Sequence, residues 1–192
     1  MNSRLKQSGV TLVELAVVVT IAAILMAIGI PSYKYVTTSN RIAGEINGLL
    51  GDMQFARYEA IKEGLNNVTI CPAATSTSTV CDTTSTTWSE GWIVLSSPGT
   101  YNSSTSVVLR RQVPFSNFNS NDTLTSVAGI TYLGFNREGF VTPPTGVAAG
   151  PTYFSLHDPT SNAGFTRCLM VSTAGAMTTI TSGKAMNGET CS

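Results

Sequence analysis

The apolar positions near the start of the chain form one unbroken stretch. Residues 10–30 hold only three polar side chains, those of Thr11, Glu14 and Thr20. As an α-helix this stretch extends about 30 Å, which is the thickness of the hydrocarbon core of a bilayer. The pattern therefore predicts a transmembrane helix over residues 10–30.

A short basic leader precedes the apolar stretch. Residues 1–9 carry Arg4 and Lys6, and cationic residues that flank a span stay on the cytoplasmic side of the membrane. We therefore expect one pass through the inner membrane, with the leader in the cytoplasm and the C-terminal domain in the periplasm.

Residues 31–64 change to a helical period. Pro31 removes one backbone donor, so we expect a kink there. Apolar residues then recur at alternating steps of four and three, which is the pattern of an amphipathic helix; they are Ile42, Ile46, Leu49, Met53, Ala56 and Ala60. Gly64 is a helix-ending residue, so one helix is predicted from Val10 to Glu63. We expect its apolar stripe to pack on the protein's own sheet.

Residues 65–192 have the pattern of short strands between turns. The β-rich runs are residues 67–71, 91–95, 106–113, 129–135, 165–171 and 176–180, and "NREG" at 136–139 has the composition of a hairpin turn. The predicted fold class is α+β, with a long N-terminal helix packed on one antiparallel β-sheet domain that contains one sheet or two small ones.

Composition and charge exclude a protein that binds polyanions through bulk charge. Charged residues are 11% of the chain, with eleven Lys and Arg against eleven Asp and Glu. Loss of the leader removes two cations and leaves a net charge of −2. Only a local basic patch remains possible.

Four cysteines follow the apolar stretch, and none has the spacing of a metal site. An even number behind an export-like N-terminus predicts two disulfides in an oxidising compartment. Three pairings are possible, and we favour the one that is local in sequence, Cys71–Cys81 and Cys168–Cys191. Between the first two, the Ser- and Thr-rich stretch 75–87 is too polar to pack and is expected to be a surface loop.

Three interpretations of the apolar stretch compete. A cleaved secretory signal has a shorter apolar region without an acid and ends in a small-x-small site. A plain signal anchor leaves Glu14 unexplained, because a charge inside a span costs about 2.5–3.5 kcal/mol on insertion scales. The third interpretation takes Gly9, Glu14 and the span together.

The stretch "SGVTLVELAVVVTIAAILMAIGIPSY" resembles the class III leader and N-terminal helix of type IV pilins and pseudopilins. The resemblance implies that prepilin peptidase cleaves after Gly9 and that the new N-terminus, Val10, is N-methylated; the family most often has phenylalanine there. Glu14 lies one helical turn from this positive amine, on the same helix face. It is therefore interpreted as an assembly residue that fixes the axial register between neighbouring subunits.

Three further motifs narrow the resemblance. "ARYEAI" at the end of the helix, "GW" at Gly91–Trp92 and "FNREG" at 135–139 resemble FimT/FimU-type minor pilins and GspH-type pseudopilins. The resemblance implies assembly with other minor and major pilins, or pseudopilins, on an inner-membrane platform. It implies no cofactor and no metal.

The sequence supports a minor pilin that helps to initiate a type IV pilus in a priming or tip complex, with a GspH-type pseudopilin of type II secretion as the alternative. A DNA-binding tip pilin is a third hypothesis. The basic "GRxR" motif of some FimT-type proteins is replaced by "GAMT" at 175–178, so nucleic-acid binding is not expected. The weak candidates for it are Arg110, Arg111, Arg167 and Lys184.

An enzyme is the remaining class. His157 is the only histidine of the chain, and Asp158 follows it in "LHDPT". No nucleophile elbow or metal spacing accompanies them. We therefore expect a hydrogen-bonded loop histidine and no catalytic residue.

Overall fold

The computed structural model describes residues 9–64, 67–98, 106–118, 121–126, 129–186 and 189–191. The chain forms two compact units, Met1–Ser39 and Asn40–Ser192. The first contains the apolar helical stretch, and the second contains the sheets and the core that they enclose.

Helix α1 covers Leu12–Glu63, 52 residues. It begins after Thr11, whose hydroxyl accepts a hydrogen bond from the backbone N–H of Glu14 at 3.2 Å, so Thr11 acts as the N-cap and the helix starts two residues later than predicted. It ends before Gly64, which has a φ of 61°, the left-handed conformation that glycine adopts at a helix C-terminus. The helix continues through Pro31, and the kink there stays a prediction.

The strands are short and separated by turns. Their bounds are β1 Val68–Pro72, β2 Trp92–Ser96, β3 Val107–Gln112, β4 Thr123–Ser126, β5 Leu133–Phe135, β6 Val141–Thr142, β7 Thr152–His157, β8 Arg167–Val171, β9 Met177–Thr181, β10 Ala185–Met186 and β11 Glu189–Thr190. A short 3-10 helix covers Phe115–Phe118.

Within the described residues the strands form a five-stranded sheet in the order β3-β2-β1-β5-β6, a four-stranded sheet in the order β4-β7-β8-β9, and the hairpin β10-β11. All pairs are antiparallel. The predicted α+β fold class is thereby confirmed, and of the two arrangements left open, the strands are divided among more than one sheet.

The predicted apolar stripe of α1 is confirmed as the helix's buried face. Its six residues are between 0 and 2% exposed, and they pack in one core with side chains of both larger sheets. Within that core, Trp88 and Phe154 make an edge-to-face contact with ring centroids 4.9 Å apart, and Trp92 and Phe115 do the same at 5.9 Å. The charged Glu59 of α1 is also buried, with 8% of its surface exposed, and it pairs with Lys62 at 3.2 Å.

The five-stranded sheet buries apolar residues on both faces. Alternate residues of a strand point to opposite sides of a sheet, so Ile70 joins the core with α1 whereas its neighbour Cys71 belongs to a second cluster. The other members of that cluster are Ala73, Cys81, Ile93, Leu95 and Tyr132. Most of the polar stretch 75–87 is exposed, as predicted for a surface loop, but Cys81 within it is only 6% exposed.

Arg57 joins two turns from different parts of the chain. Its Nε donates to the carbonyl of Gly139 at 3.0 Å and its Nη2 donates to the carbonyl of Ala174 at 3.1 Å. Gly139 and Gly175 have φ values of 80° and 74°. A Cβ on Gly175 would lie 2.3 Å from the Gly139 carbonyl oxygen and 2.7 Å from Arg57 Nε. The Arg57 side chain thus occupies the space that a Cβ at Gly139 or Gly175 would need.

The strand predictions differ from the structure mainly in the second half of the chain. Five of the predicted runs correspond to strands β1, β2, β3, β8 and β9, and the bounds of each run agree with those of its strand to within two residues. The run 129–135 is a strand only over Leu133–Phe135, and its first residue, Gly129, has a φ of 71°, which is not an extended conformation. Strands β4 and β7 were not predicted, although β7 is a central strand whose first five residues are buried.

Candidate assembly site on the N-terminal helix

The predicted leader junction lies just outside the helix. Gly9 and Val10 precede α1, both are exposed, and Val10 is 69% exposed. Residues 1–8, which include Arg4 and Lys6, lie outside the described residues. Gly9 and Val10 therefore have an accessible, non-helical backbone directly before the capped start of α1.

Glu14 lies in the first turn of α1. Its backbone N–H is bonded to the capping hydroxyl of Thr11, and its side chain is exposed. A carboxylate in the first turn interacts favourably with the positive end of the helix dipole. The spacing Thr11-x-x-Glu14 is that of a capping box, and this signal, missed in the sequence, would have located the helix start.

The surface of α1 around Glu14 is apolar. Between residues 10 and 30 every large apolar side chain is more than half exposed, and Leu12 is the most exposed, at 83%. Helix α1 is long and apolar enough to cross a membrane by length and composition. The polar Thr20 is satisfied locally, since its hydroxyl donates to the carbonyl of Ala16 at 2.7 Å.

The four cysteines form two disulfides. Cys71 is bonded to Cys81, and Cys168 is bonded to Cys191, which is the pairing local in sequence. The first closes the loop on the outer face of the five-stranded sheet, and the second fixes the C-terminal segment to β8. Arg111 adds a further contact to the loop, because its Nη1 donates to the carbonyl of Ser76 at 2.7 Å.

The candidate nucleic-acid residues on β3 have separate structural contacts. Arg110 pairs with Asp52 of α1 at 2.8 Å, and its guanidinium lies 4.2 Å from the ring centroid of Phe55. The neighbouring Arg111 bonds the loop carbonyl described above. The two cations therefore extend toward different elements and do not form a paired phosphate contact.

The other two candidates lie in the four-stranded sheet and the turn after it. Arg167 at the start of β8 donates to the carbonyls of Gly164 at 3.1 Å and Thr166 at 2.9 Å. Lys184 lies in the turn after β9, where its backbone N–H donates to Thr181. The cation of Arg167 is thus directed back to its own loop.

His157 is the last residue of β7 and is not in a loop. Its Nε2 lies 2.7 Å from the hydroxyl oxygen of Ser155, and its Nδ1 lies 3.2 Å from that of Thr166. Both ring nitrogens therefore bond hydroxyl groups. No carboxylate takes the orienting position that a catalytic triad requires among these contacts.

Asp158 has a structural environment of its own. Burial opposes its charged form, but hydrogen bonds from the Thr160 hydroxyl and from the backbone N–H groups of Asn162 and Thr160 outweigh burial, and the charge of Arg41 adds to them. Together they hold the pKa of Asp158 below its ordinary value. The carboxylate organises the turn between β7 and β8.

A long N-terminal helix, apolar and exposed in its first half and packed on antiparallel sheets in its second, defines the class of pilin-like proteins. Proteins of this class are structural subunits. The candidate site of such a subunit is the apolar helix surface with Glu14 near its start.

The chain belongs to the GspH family. The model of the family described as "Type II transport protein GspH" matches residues 45–175, and that of the prokaryotic N-terminal methylation motif matches residues 4–30. Membership implies assembly with other pilins, processing by prepilin peptidase, and anchoring through the apolar helix. No curated protein sequence matches the chain.

Two crystal structures of the type IV minor pilin FimU from Pseudomonas aeruginosa have a similar fold. One aligns at 21% identity with a TM-score of 0.53, over 80% of this chain and 99% of the FimU chain. The other aligns at 18% identity with a TM-score of 0.53, over 84% of this chain and 98% of the FimU chain.

Proposed function

We propose that this protein is a minor pilin of a type IV pilus, inserted in the inner membrane and acting in the complex that initiates pilus assembly. The observation that carries the proposal is the exposed apolar surface of residues 10–30, interrupted by a single carboxylate one turn after the leader junction. Lipid covers this surface before assembly, and the helices of neighbouring pilins cover it in the filament.

Maturation by prepilin peptidase precedes assembly in this proposal. The peptidase cleaves after Gly9, and the new N-terminus of Val10 is methylated. The exposed, non-helical backbone at the junction supports this, since a protease needs an extended substrate. Mass spectrometry of the mature protein should find N-methylated Val10 as the first residue. Gly9→Leu should leave the precursor uncleaved, whereas Val10→Phe should still be processed. An intact Met1 in the mature wild-type protein would refute the proposal.

Glu14 then sets the register between subunits. Cleavage places a positive amine in an apolar environment, where an unpaired charge is strongly unfavourable. The carboxylate lies four residues from Val10 and neutralises its own amine or that of a neighbouring subunit. Capping by Thr11 holds the first helical turn, and therefore the carboxylate, in place.

Substitution of Glu14 separates assembly from insertion. Glu14→Val should leave membrane insertion and leader cleavage unchanged and should abolish incorporation beside other pilins, measured by cross-linking to neighbours and by recovery in sheared filaments. Thr20→Val is the matched control, because it removes a polar group whose hydrogen bond stays within its own helix. Normal incorporation of Glu14→Val would exclude the register role.

A pseudopilin of type II secretion is the alternative function. The family is described as one of type II transport proteins, whereas the similar solved structures are of a pilus subunit. Both kinds of subunit have the same architecture, and the inner-membrane platform is the expected partner in each case. Deletion of the gene should abolish or sharply reduce surface pili and leave protein secretion unchanged. The reverse result would assign the chain to the secretion machine.

Nucleic-acid binding is not part of the proposal. Arg110 and Arg111 extend to different elements, and "GAMT" occupies the place of the basic motif. Gly175 of that segment is in addition enclosed by Arg57 and Gly139. These contacts support a structural role for the segment.

A further inference from the structure

A shallow groove of about 500 Å³ lies on one face of the apolar helix near the end of the span. Its lining residues are Leu25, Met26, Gly29, Ile30, Tyr33 and Lys34. They are two series spaced by four residues, which places each series along one helix face. A Cβ on Gly29 would meet no atom within 4 Å. The groove is therefore the gap that glycine leaves between the side chains before and after it.

The two ends of the groove differ in chemistry. Its floor is apolar, and Leu25 and Met26 are 66% and 62% exposed. Tyr33 and Lys34 form its rim, and Tyr33 is 71% exposed. Tyrosine and lysine combine an apolar body with a polar tip, and both are enriched where a span leaves the hydrocarbon core. The groove thus leads from an acyl-chain environment to a polar one within about 12 Å of helix axis.

The charge at the rim is not balanced within this part of the chain. Between residues 9 and 39 the charged side chains are Glu14 and Lys34 alone, and they are about 30 Å apart along the helix. A second copy of this helix, parallel and at the same depth, would bring its own Lys34 against the first. An anion is the complementary partner for this rim.

We propose that the groove binds an anionic glycerophospholipid of the periplasmic leaflet, with one acyl chain along Leu25 and Gly29 and the phosphate at the Lys34 ammonium. The Tyr33 hydroxyl donates to the phosphate or to an ester carbonyl. This inference rests on the proposed membrane insertion and adds the lipid class that the span recognises. The bound lipid sets the depth of the span and covers this helix face before assembly.

Lipid retention by the full-length protein tests the site. The protein is reconstituted in vesicles of equal phosphatidylglycerol and phosphatidylcholine, extracted in mild detergent, and analysed by native mass spectrometry for retained lipid. The wild type should retain phosphatidylglycerol preferentially. Lys34→Gln should lower that preference about fivefold. Gly29→Leu fills the groove and should lower retention of both lipids, whereas Ala27→Leu, outside the lining, should behave as the wild type.

Three results would overturn the inference: equal lipid preference of the wild type and Lys34→Gln, full retention by Gly29→Leu, or cross-linked dimers of the chain that Gly29→Leu abolishes. The last would assign the groove to a second copy. Washing the vesicles with alkaline carbonate distinguishes failure of the proposed lipid site from failure of the proposed membrane insertion. A chain that carbonate releases from the vesicles is not inserted at all, whereas a carbonate-resistant chain without lipid preference refutes only the lipid site.

Discussion

One ion pair connects the start of the buried stripe of α1 to the four-stranded sheet. Arg41 Nε and Nη2 each lie 2.7 Å from a carboxylate oxygen of Asp122, the residue before β4. The side chain of Asp122 is 0% exposed and that of Arg41 is 35% exposed. The hydrogen bond to Asp122 raises the pKa of Arg41, and burial opposes this. The charge of the buried Asp122 is therefore compensated mainly by Arg41, whereas Arg41 is also reached by water.

The difference in exposure gives unequal costs for the two single substitutions. Arg41→Met keeps an apolar stem but removes the counter-ion of a buried carboxylate, and loss of one partner of a buried pair costs about 3–5 kcal/mol. Glu45, whose Oε1 is 4.0 Å from Arg41 Nε, loses the same cation. Asp122→Asn leaves a guanidinium that water already reaches, so its cost is that of a charged hydrogen bond, about 1.5–2 kcal/mol.

The double variant provides the stricter test. With Asn at position 122 the fully buried carboxylate that lost its counter-ion is itself removed, so the second substitution relieves part of the cost of the first. Arg41→Met/Asp122→Asn should therefore be more stable than Arg41→Met alone. The sum of the single costs should exceed that of the double variant by at least about 1.5 kcal/mol.

Denaturant unfolding of the full-length protein in detergent micelles measures these costs. Trp88 and Trp92 are 0 and 1% exposed, so their fluorescence reports loss of the core. Arg137→Met is the control, because Arg137 is 67% exposed and pairs with an exposed glutamate; it should cost far less stability than either Arg41→Met or Asp122→Asn. Equal costs for Arg41→Met and Asp122→Asn, or additive costs in the double variant, would refute the reasoning.

Three further predictions use the same unfolding assay. Gly175→Ala should cost about 2–3 kcal/mol, and Gly183→Ala only about 1 kcal/mol, because both residues have a φ of 74° but only Gly175 has atoms within contact of a Cβ; equal costs would contradict the steric argument. Replacing both Cys71 and Cys81 by alanine should cost about 2.7 kcal/mol by loop entropy, and unchanged stability would exclude a structural role for the bond. The pKa of Asp158 is lower in the folded protein than in the unfolded chain, so its ionised carboxylate stabilises the fold. This stabilisation is complete well above the unfolded pKa of about 3.9. It is lost as pH falls through that value and then through the lower pKa of the folded protein. Asp158→Asn should therefore flatten the loss of stability between pH 5 and pH 3, and an unchanged slope would contradict this.

The sequence by itself determined the features whose physical causes are local. The apolar length of residues 10–30, the three-and-four spacing of the buried stripe and the helix end at Gly64 each depend on near neighbours in a helix. The structure confirms the stripe and the helix end. The Thr11 cap was equally local, since a threonine three residues before a glutamate marks a helix start.

Strand β7 shows where local patterns were insufficient. Its residues 152–156 are all buried because β7 pairs with β4 on one side and β8 on the other and packs on the core. A strand buried in this way does not show a simple alternation of apolar and polar residues. Its neighbour β4 lies about thirty residues earlier in the chain, so no short window contained the pair.

Only the tertiary structure decided which polar groups meet. Asp122 is buried because Arg41 reaches it across 81 residues of sequence, and the pairing of Arg57 with the Gly139 carbonyl spans 82. The adjacent cations of β3 looked like a patch, but strand alternation sends Arg110 and Arg111 toward different elements. Ion pairs and hydrogen bonds require distances of about 3 Å. Sequence periodicity sets only the face of an element on which a side chain lies. The packing of elements that are distant in sequence sets the distances between their polar groups.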